Sequence, residues 1–123
     1  MAEGKRQAAE KRGRKGERAA ALFLQLKGYR ILERRVKTPL GEVDLIARRG
    51  GVVAFVEVKH RASLDLAADS VTQRNWQRID RASEFWMARH PDLADLGWRY
   101  DIVAVAPWQV PRHIRDAWRP GMA

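Results

Sequence analysis

The most informative stretch of this 123-residue chain is residues 41–60, which read GEVDLIARRGGVVAFVEVKH. Apolar and polar residues alternate through much of its first half, and its second half is rich in the β-branched and aromatic residues that favour strands. The Gly50-Gly51 pair between the halves suits a two-residue turn, because glycine adopts the positive φ values that such turns need. The stretch therefore predicts a β-hairpin.

Four charged side chains of this hairpin are predicted to lie together. Side chains alternate along a strand, so Glu57 and Lys59 share one face at a separation of roughly 6 to 7 Å. If the Gly-Gly pair forms the turn, Asp44 lies opposite Glu57 and Glu42 opposite Lys59, with Cβ atoms about 4.5 to 5.5 Å apart. A four-residue loop would change the partners but keep all four charges on this face, whereas a three-residue loop would not.

This arrangement predicts a metal-dependent hydrolytic site. Two neighbouring carboxylates repel each other unless a cation lies between them, and Asp44 with Glu57 could hold Mg²⁺ or Mn²⁺, which prefer oxygen ligands. Lys59 is then placed to hold or activate a water while the ion polarises a phosphodiester. Glu17, near the start of the first predicted helix, could reach the same ion. The alternative is an exposed ion-pair ladder of little energetic consequence, but the apolar strands around the charges favour a metal site.

Composition favours a nucleic-acid partner. Lys and Arg number 24 against 15 Asp and Glu, giving a net charge of +9. Such a charge attracts polyanions, and an anionic membrane surface would also be attracted. The absence of cysteine excludes disulfides and thiolate metal sites. No apolar run approaches the roughly 20 residues that span a bilayer, so a soluble, cytoplasmic protein without a membrane anchor is expected.

The chain length fits one folded domain. Residues 1–15, MAEGKRQAAEKRGRK, lack a repeating apolar face and are predicted to form a mobile basic arm or a frayed helix, with the folded domain at residues 16–123. Basic residues of this arm and of the second predicted helix are candidates for contacts with phosphate, or else form a solvated surface. They are Arg12, Arg14, Lys15, Arg74, Arg78 and Arg81.

The remaining elements complete an α/β order. Helical spacing of apolar residues predicts helices at about residues 16–28 and 70–89. Strands are predicted at residues 30–37 and 98–106, and a short closing helix is predicted at residues 111–118. The order of helix, three strands, helix and strand is typical of a mixed sheet flanked by helices.

The tryptophans, the histidines and the Asp101–Arg99 pair are further candidates for a functional role. Most of the five tryptophans are predicted to be core residues, with stacking on unpaired bases as the alternative. Asp101 and Arg99, two residues apart in the last predicted strand, are expected to form an ion pair. The three histidines lack the spacing of a zinc site.

Five segments of the chain, taken in order, resemble the YraN-like family of small bacterial proteins. They are GRKGERAAALFLQLKGYRIL, GEVDLIARRGG, VAFVEVKHR, AADSVTQRNWQRIDRASEFW and WRYDIVAV, within residues 13–118. This family belongs to the restriction-endonuclease-like, or PD-(D/E)XK, superfamily. The resemblance implies an αβββαβ core similar to that of the archaeal Holliday-junction resolvases. It also implies that Glu17, Asp44, Glu57 and Lys59 occupy the superfamily's acidic, metal-binding and lysine positions.

The resemblance and the charges together predict a divalent-metal-dependent endonuclease that hydrolyses phosphodiester bonds in DNA, with branched or structured DNA among its substrates. A nucleic-acid-binding module that keeps the nuclease fold with weak or no catalysis is the alternative. An interaction protein with an acidic partner is a third hypothesis. A symmetric homodimer is expected by analogy with the resolvases.

Overall fold

A computed structural model describes residues 2–122 of the chain, with side chains from residue 14 onward. The helices are α1 (Ala2–Leu26), α2 (Leu64–Ala68) and α3 (Gln73–Ala88), followed by a 3₁₀ turn at Pro91–Leu93. The strands are β1 (Arg30–Thr38), β2 (Gly41–Arg49), β3 (Val52–His60), β4 (Gly97–Val105) and β5 (Arg112–Trp118). They form one five-stranded sheet in which the spatial order equals the chain order.

The sheet is mixed, as the sequence predicted. β1, β2 and β3 form an antiparallel meander, β4 runs parallel to β3, and β5 is antiparallel to β4. The parallel pair is connected through α2 and α3, since parallel neighbours need a crossover connection. The hairpin register pairs Arg49 with Val52 and Leu45 with Val56, which confirms the predicted two-residue turn. The observed α/β architecture, a sheet flanked by helices, is consistent with a restriction-endonuclease-like core.

Helices cover both faces of the sheet, which therefore separates two apolar cores. On one face, α1 packs onto the centre of the sheet; the buried residues there include Ala20, Leu24, Leu45, Ala54, Val56 and Val103. On the other face, α3 packs in the same way; the buried residues there include Ile46, Phe55, Trp76, Ile79, Tyr100 and Trp118. Burial on both faces explains why β3 reads as an almost continuous apolar run rather than an alternating one.

The closing helix predicted for residues 111–118 is wrong, because most of this segment is strand β5. Pro111 suits the first turn of a helix, and the polar residues that follow show no strict alternation. The segment is instead set by its pairing with β4, where Ile114 lies opposite Ile102. The register shifts beside Tyr100, and Asp116 adopts a left-handed φ of 54°. An irregular edge strand of this kind leaves little period-2 signal to read.

The second predicted helix corresponds to α3, preceded by the separate short helix α2. Thr72 caps α3 by accepting a hydrogen bond from the Asn75 N–H at 3.2 Å. The predicted core positions Ile79, Ala82 and Trp86 are buried. Trp76 and Trp118 are buried as well, whereas Trp98 is 41% exposed and Trp108 fully exposed.

The predicted arm falls mainly on residues that carry no described side chains. The backbone of residues 2–15 belongs to α1, and the side chain of Arg12 lies outside the described set. The basic arm therefore stays a prediction. None of the helices in residues 2–122 has the length and apolar character needed to cross a membrane.

Candidate functional site

The candidate site begins where the pairing of β2 with β3 ends. Counting away from the turn, the last paired residues are Leu45 and Val56, and Asp44 is the next residue on β2. Asp44 Oδ2 accepts a hydrogen bond from the main-chain N–H of Val58 at 2.8 Å. This carboxylate thus satisfies a β3 amide beyond the end of the ladder, and the bond holds it beside Glu57.

At Asp44 the strand departs from regular alternation. Residues 43 and 45 would share a face in a regular strand, yet Val43 belongs to the core on the α3 side and Leu45 to the core on the α1 side. On the neighbouring strand, Arg35 has a left-handed φ of 51° at the same level. The strand therefore changes face at Asp44.

Glu57 and Lys59 complete the centre of the site. Lys59 Nζ lies 3.2 Å from Glu57 Oε1, and Glu57 is 7% exposed. The charge of Asp44 raises the pKa of Glu57, and the charge of Lys59 lowers the pKa of both acids, so the three groups lie close together. The structure therefore brings together Asp44, Glu57 and Lys59, three of the four side chains that the hairpin pattern had grouped. Glu42, the fourth, is exposed.

The positive charge near Asp44 and Glu57 does not balance the two carboxylates. Burial raises the pKa of Glu57 to about 8, the negative charge of Asp44 adds to the rise, and Lys59 opposes it. Burial also raises the pKa of Asp44, although the Val58 N–H counteracts the rise. The interaction between the two carboxyl groups raises the pKa of Glu57 further.

Glu17 approaches Asp44 from α1 but is engaged by another residue. Its charge contributes to the raised pKa of Asp44, and both acids line a cavity of about 350 Å³. Gly16 permits this approach, since a Cβ there would lie 3.2 Å from His60 Cβ at the end of β3. Arg35 Nε, however, donates to Glu17 Oε2 at 2.6 Å.

The carboxylates of the site determine which metal ion it could hold. Among the described residues, no group of three or more His, Cys, Asp and Glu side chains is arranged to hold a metal ion. Asp44 and Glu57 supply two carboxylates, and Mg²⁺ is commonly bound through one or two carboxylates with water and substrate phosphate as the other ligands. Because both carboxyl groups have raised pKa values, a divalent cation would relieve their repulsion. The residues fit a hard divalent ion held by two protein ligands.

The basic residues predicted to contact phosphate lie on α1 and α3. Those with described side chains are all exposed, namely Arg14, Lys15, Arg74, Arg78 and Arg81. Arg14 lines the same cavity as Asp44. The three α3 arginines lie on one side of that helix. Gly41 lets β2 begin close to α3, because a Cβ at Gly41 would lie 2.9 Å from the Arg78 carbonyl oxygen. Their contact with phosphate stays a prediction.

A second charge cluster lies on β4 and β5, on the face that α1 covers, and the sequence predicted only part of it. The expected ion pair of Asp101 with Arg99 is confirmed, with Arg99 Nη2 at 2.8 Å from Asp101 Oδ2. His113 Nε2 lies 2.7 Å from the same Oδ2 atom, and Lys27 Nζ lies 2.6 Å from His113 Nδ1. His113 was not foreseen because its segment was predicted to be helical. These four residues are called the Asp101 cluster below.

Sequence comparisons identify the relatives of this chain. The profile described as Uncharacterised protein family UPF0102 matches residues 16–105. A UPF0102 protein of Paramagnetospirillum magneticum is 56% identical over 117 residues, which cover 92% of this chain and 91% of that protein. A UPF0102 protein of Rhizobium meliloti is 55% identical over 109 residues, 89% of each chain. One of Parvibaculum lavamentivorans is 48% identical over 113 residues, covering 92% of this chain and 85% of that protein.

The profile match spans all four candidate residues, from Glu17 to Lys59, and includes α3 and β4. The similarity therefore extends over the region that builds the site, and the relatives are matched along most of their own length. On both grounds the chain belongs to the UPF0102 family, also known as the YraN family.

Proposed function

We propose that this protein is a divalent-metal-dependent endonuclease that hydrolyses phosphodiester bonds in DNA. One observation carries the proposal: Asp44, whose Oδ2 accepts from the Val58 N–H at 2.8 Å, and Glu57, whose Oε1 lies 3.2 Å from the Lys59 amine, are two largely buried carboxyl groups on adjacent strands that act on each other's pKa. Acids that have shifted pKa values and lie beside a cation at a cavity are common in catalytic sites. The net charge of +9 supplies attraction for a polyanionic substrate.

Each side chain has a part in this mechanism. Asp44 and Glu57 would hold Mg²⁺ or Mn²⁺, and the bound ion would polarise the phosphate and stabilise charge that develops on its oxygens. The Val58 N–H fixes the orientation of Asp44. Lys59, as an ammonium group, can only donate hydrogen bonds, so it orients an attacking water or a phosphate oxygen through donation. Partial burial of the site strengthens these electrostatic interactions.

The exposed arginines have a role in substrate attraction rather than in chemistry. Each phosphate that they neutralise releases counterions, so DNA affinity should fall steeply with added salt. Arg14 lines the site cavity, and the backbone of Arg78 on α3 lies close to Gly41 at the start of β2. Binding that depends little on salt would argue against this part of the proposal.

A cleavage assay with the full chain tests the proposal. Purified protein is incubated with supercoiled, linear and four-way-junction DNA in Mg²⁺, in Mn²⁺ and in EDTA. Cutting of at least one DNA form with a divalent ion, and none in EDTA, is expected. Lys59→Ala should lower the rate by about a hundredfold or more, the usual scale for losing a hydrogen-bond donor positioned at the reacting group, while DNA binding persists.

A matched control uses another lysine. Lys37 is exposed and lines the cavity with Asp44, so Lys37→Ala removes the same charge without touching the Glu57 pair. Its cleavage rate should fall only as far as its DNA affinity falls. Equal loss of cutting in both variants would mean that Lys59 acts through general charge, and the catalytic role would be wrong.

A second function is favoured by a specific observation. Lys59 is paired with Glu57, Arg35 is paired with Glu17, and the described residues hold no three-ligand metal group. These internal pairs would suit a nucleic-acid-binding module that keeps the nuclease fold with weak or no catalysis. Salt-sensitive DNA binding without cleavage under any divalent ion would establish that function and exclude the endonuclease.

A further inference from the structure

The loop between β4 and β5 presents an aromatic side chain to solvent. Trp108 is 102% exposed, so it makes almost no contact within the folded chain. Its backbone has a left-handed φ of 61°, which is uncommon for a bulky residue. Pro107 and Pro111 lie on either side and restrict the backbone. Trp108 is therefore held out from the surface on a stiff loop.

This loop lies at the same end of the sheet as the candidate site. β3 and β4 are parallel, and Lys59 pairs with Ala104. The chain continues past this pair in the same direction, and the Arg61 N–H donates to the Val105 carbonyl at 3.1 Å. Even a fully extended chain of four residues after Ala104, together with one strand spacing, would keep Trp108 within roughly 15 Å of Lys59. A nucleic-acid strand that crosses the site could reach both residues within a few nucleotides.

We propose that Trp108 stacks on an unpaired base of the bound nucleic acid, so that the substrate class of the site is DNA with unpaired bases beside a duplex. This inference rests on the proposed function. Stacking on an aromatic ring is tolerant of sequence, because every base has a π-face. A backbone that is already restricted before binding loses less conformational entropy when the complex forms.

The charge near the loop suits a nucleic-acid strand. Arg61 and Arg112 are exposed at the adjacent strand ends, and Arg112 also contacts the exposed Asp65 at 2.7 Å. The opposite end of β4 carries the other exposed tryptophan, Trp98, whose ring lies 5.8 Å from that of the core residue Phe55. Trp98 is part of the packing, whereas Trp108 has no packing role, so the two provide a matched pair for mutation.

Exposed apolar neighbours suggest the competing occupant, a protein surface. Leu66 on α2 is 61% exposed and Val110 in the same loop is 73% exposed. A protein partner or a second copy of the chain would bury these together with Trp108. The net charge of the chain and the position beside the carboxylate–lysine centre favour nucleic acid, and the experiment below separates the two.

The test measures binding of the full chain to three labelled DNAs in EDTA, where metal-dependent cleavage cannot interfere. The probes are a blunt duplex, the same duplex with a single-stranded overhang, and the single strand alone. Trp108→Ala should weaken binding to the overhang and single-strand probes by about tenfold and to the blunt duplex by less than about twofold. Trp108→Phe should keep most of the affinity, and Trp98→Ala should bind all three probes like the wild type.

Several outcomes would overturn the inference. Unchanged binding of Trp108→Ala, or equal loss on all three probes, would remove the stacking role while leaving any observed cleavage, and hence the proposed function, intact. Loss of self-association in sedimentation without loss of DNA binding would assign the loop to a protein interface. A wild-type protein that binds none of the probes would overturn both proposals. Selective loss in a protein that never cleaves would support the stacking role and reject the endonuclease.

Discussion

Two buried acidic regions of the same sheet differ in how their charge is balanced. Asp101 is fully buried, and its carboxylate accepts hydrogen bonds from Arg99, His113 and the Asp116 N–H. Burial by itself would raise the pKa of Asp101, but these hydrogen bonds hold it below its ordinary value. The charge of Asp101 is thus matched within the fold.

The polar atoms of Asp44 and Glu57 have partners, but the charge of the pair is not balanced within the fold. In residues 14–122, no buried side-chain nitrogen or oxygen lacks a hydrogen-bond partner, so both regions satisfy their polar atoms. Yet the pKa values of Asp44 and Glu57 are raised, whereas that of Asp101 is lowered. Hydrogen bonding alone therefore does not set the direction in which the pKa of a buried carboxyl group shifts. Charge balance makes the Asp101 cluster stabilising and leaves the other pair dependent on a proton or a cation.

The largest expected effect on stability is at the Asp101 cluster. Asp101→Asn removes the charge that Arg99 and His113 face, and breaking a buried ion pair should lower the free energy of unfolding by about 3 to 5 kcal/mol. Urea denaturation measures this change. Asp116→Asn is the control, because Asp116 is exposed and asparagine also tolerates its left-handed backbone. Similar small effects for both variants would remove the contrast between the regions.

A gain in the free energy of unfolding, instead of a loss, is expected for a change at the Asp44–Glu57 pair. Glu57→Gln removes one of two repelling acids, so without divalent ions at pH 8 it should raise the free energy of unfolding by about 2 kcal/mol. The same variant should lose divalent-ion binding in calorimetry. Glu42→Gln, at an exposed position on β2, is the control. A destabilised Glu57→Gln protein would show that this pair supports the fold as Asp101 does.

The pH dependence of stability should follow from Glu57. Its folded-state pKa of about 8 lies above the ordinary value of 4.5, so between these values the folded state binds more protons than the unfolded state. Stability should therefore fall as pH rises, by about 2 kcal/mol between pH 6 and pH 8. Thermal unfolding in EDTA measures this slope. Mg²⁺ should flatten it by replacing the proton, and the slope should also be absent in Glu57→Gln.

The smallest effect is expected at the rim of the site. Arg35→Asn fits the left-handed backbone and releases Glu17. The Arg35 side chain is 44% exposed, so the free energy of unfolding should change by less than about 1 kcal/mol. Divalent-ion affinity should rise several-fold, because a third carboxylate near Asp44 becomes available. Arg34→Asn on the same strand is the control, and equal ion affinity in both would show that Glu17 takes no part.

The parts of the fold that could be predicted are those specified by local sequence. The Gly-Gly turn and the strand patterns around it predicted the hairpin register correctly from the turn to the Leu45–Val56 pair, and with it the grouping of Asp44, Glu57 and Lys59. The predicted pairing of Glu42 with Lys59 lies beyond the end of this ladder. Strict alternation could not predict the change of face at Asp44, because that irregularity involves Arg35 on another strand. Strand β5 was missed for a similar reason, since pairing with β4 outweighs its weak local pattern.

Long-range contacts account for the rest of what the sequence left open. Lys27 and His113 are 86 residues apart in the chain, and no spacing rule links a helix-end lysine with a histidine on an edge strand. The Arg35–Glu17 ion pair likewise joins β1 to α1. Both contacts change the interpretation of a charged residue, since one completes a buried cluster and the other engages a candidate ligand.

The hydrogen bond from the Val58 amide to Asp44 connects the chemistry of the site to the backbone of β3. Any ligand that draws the Asp44 carboxylate toward itself weakens the protection of that amide, and any ligand that fixes the carboxylate in place strengthens it. The hydrogen-exchange rate of this single amide is thus a direct gauge of occupancy, readable without substrate turnover.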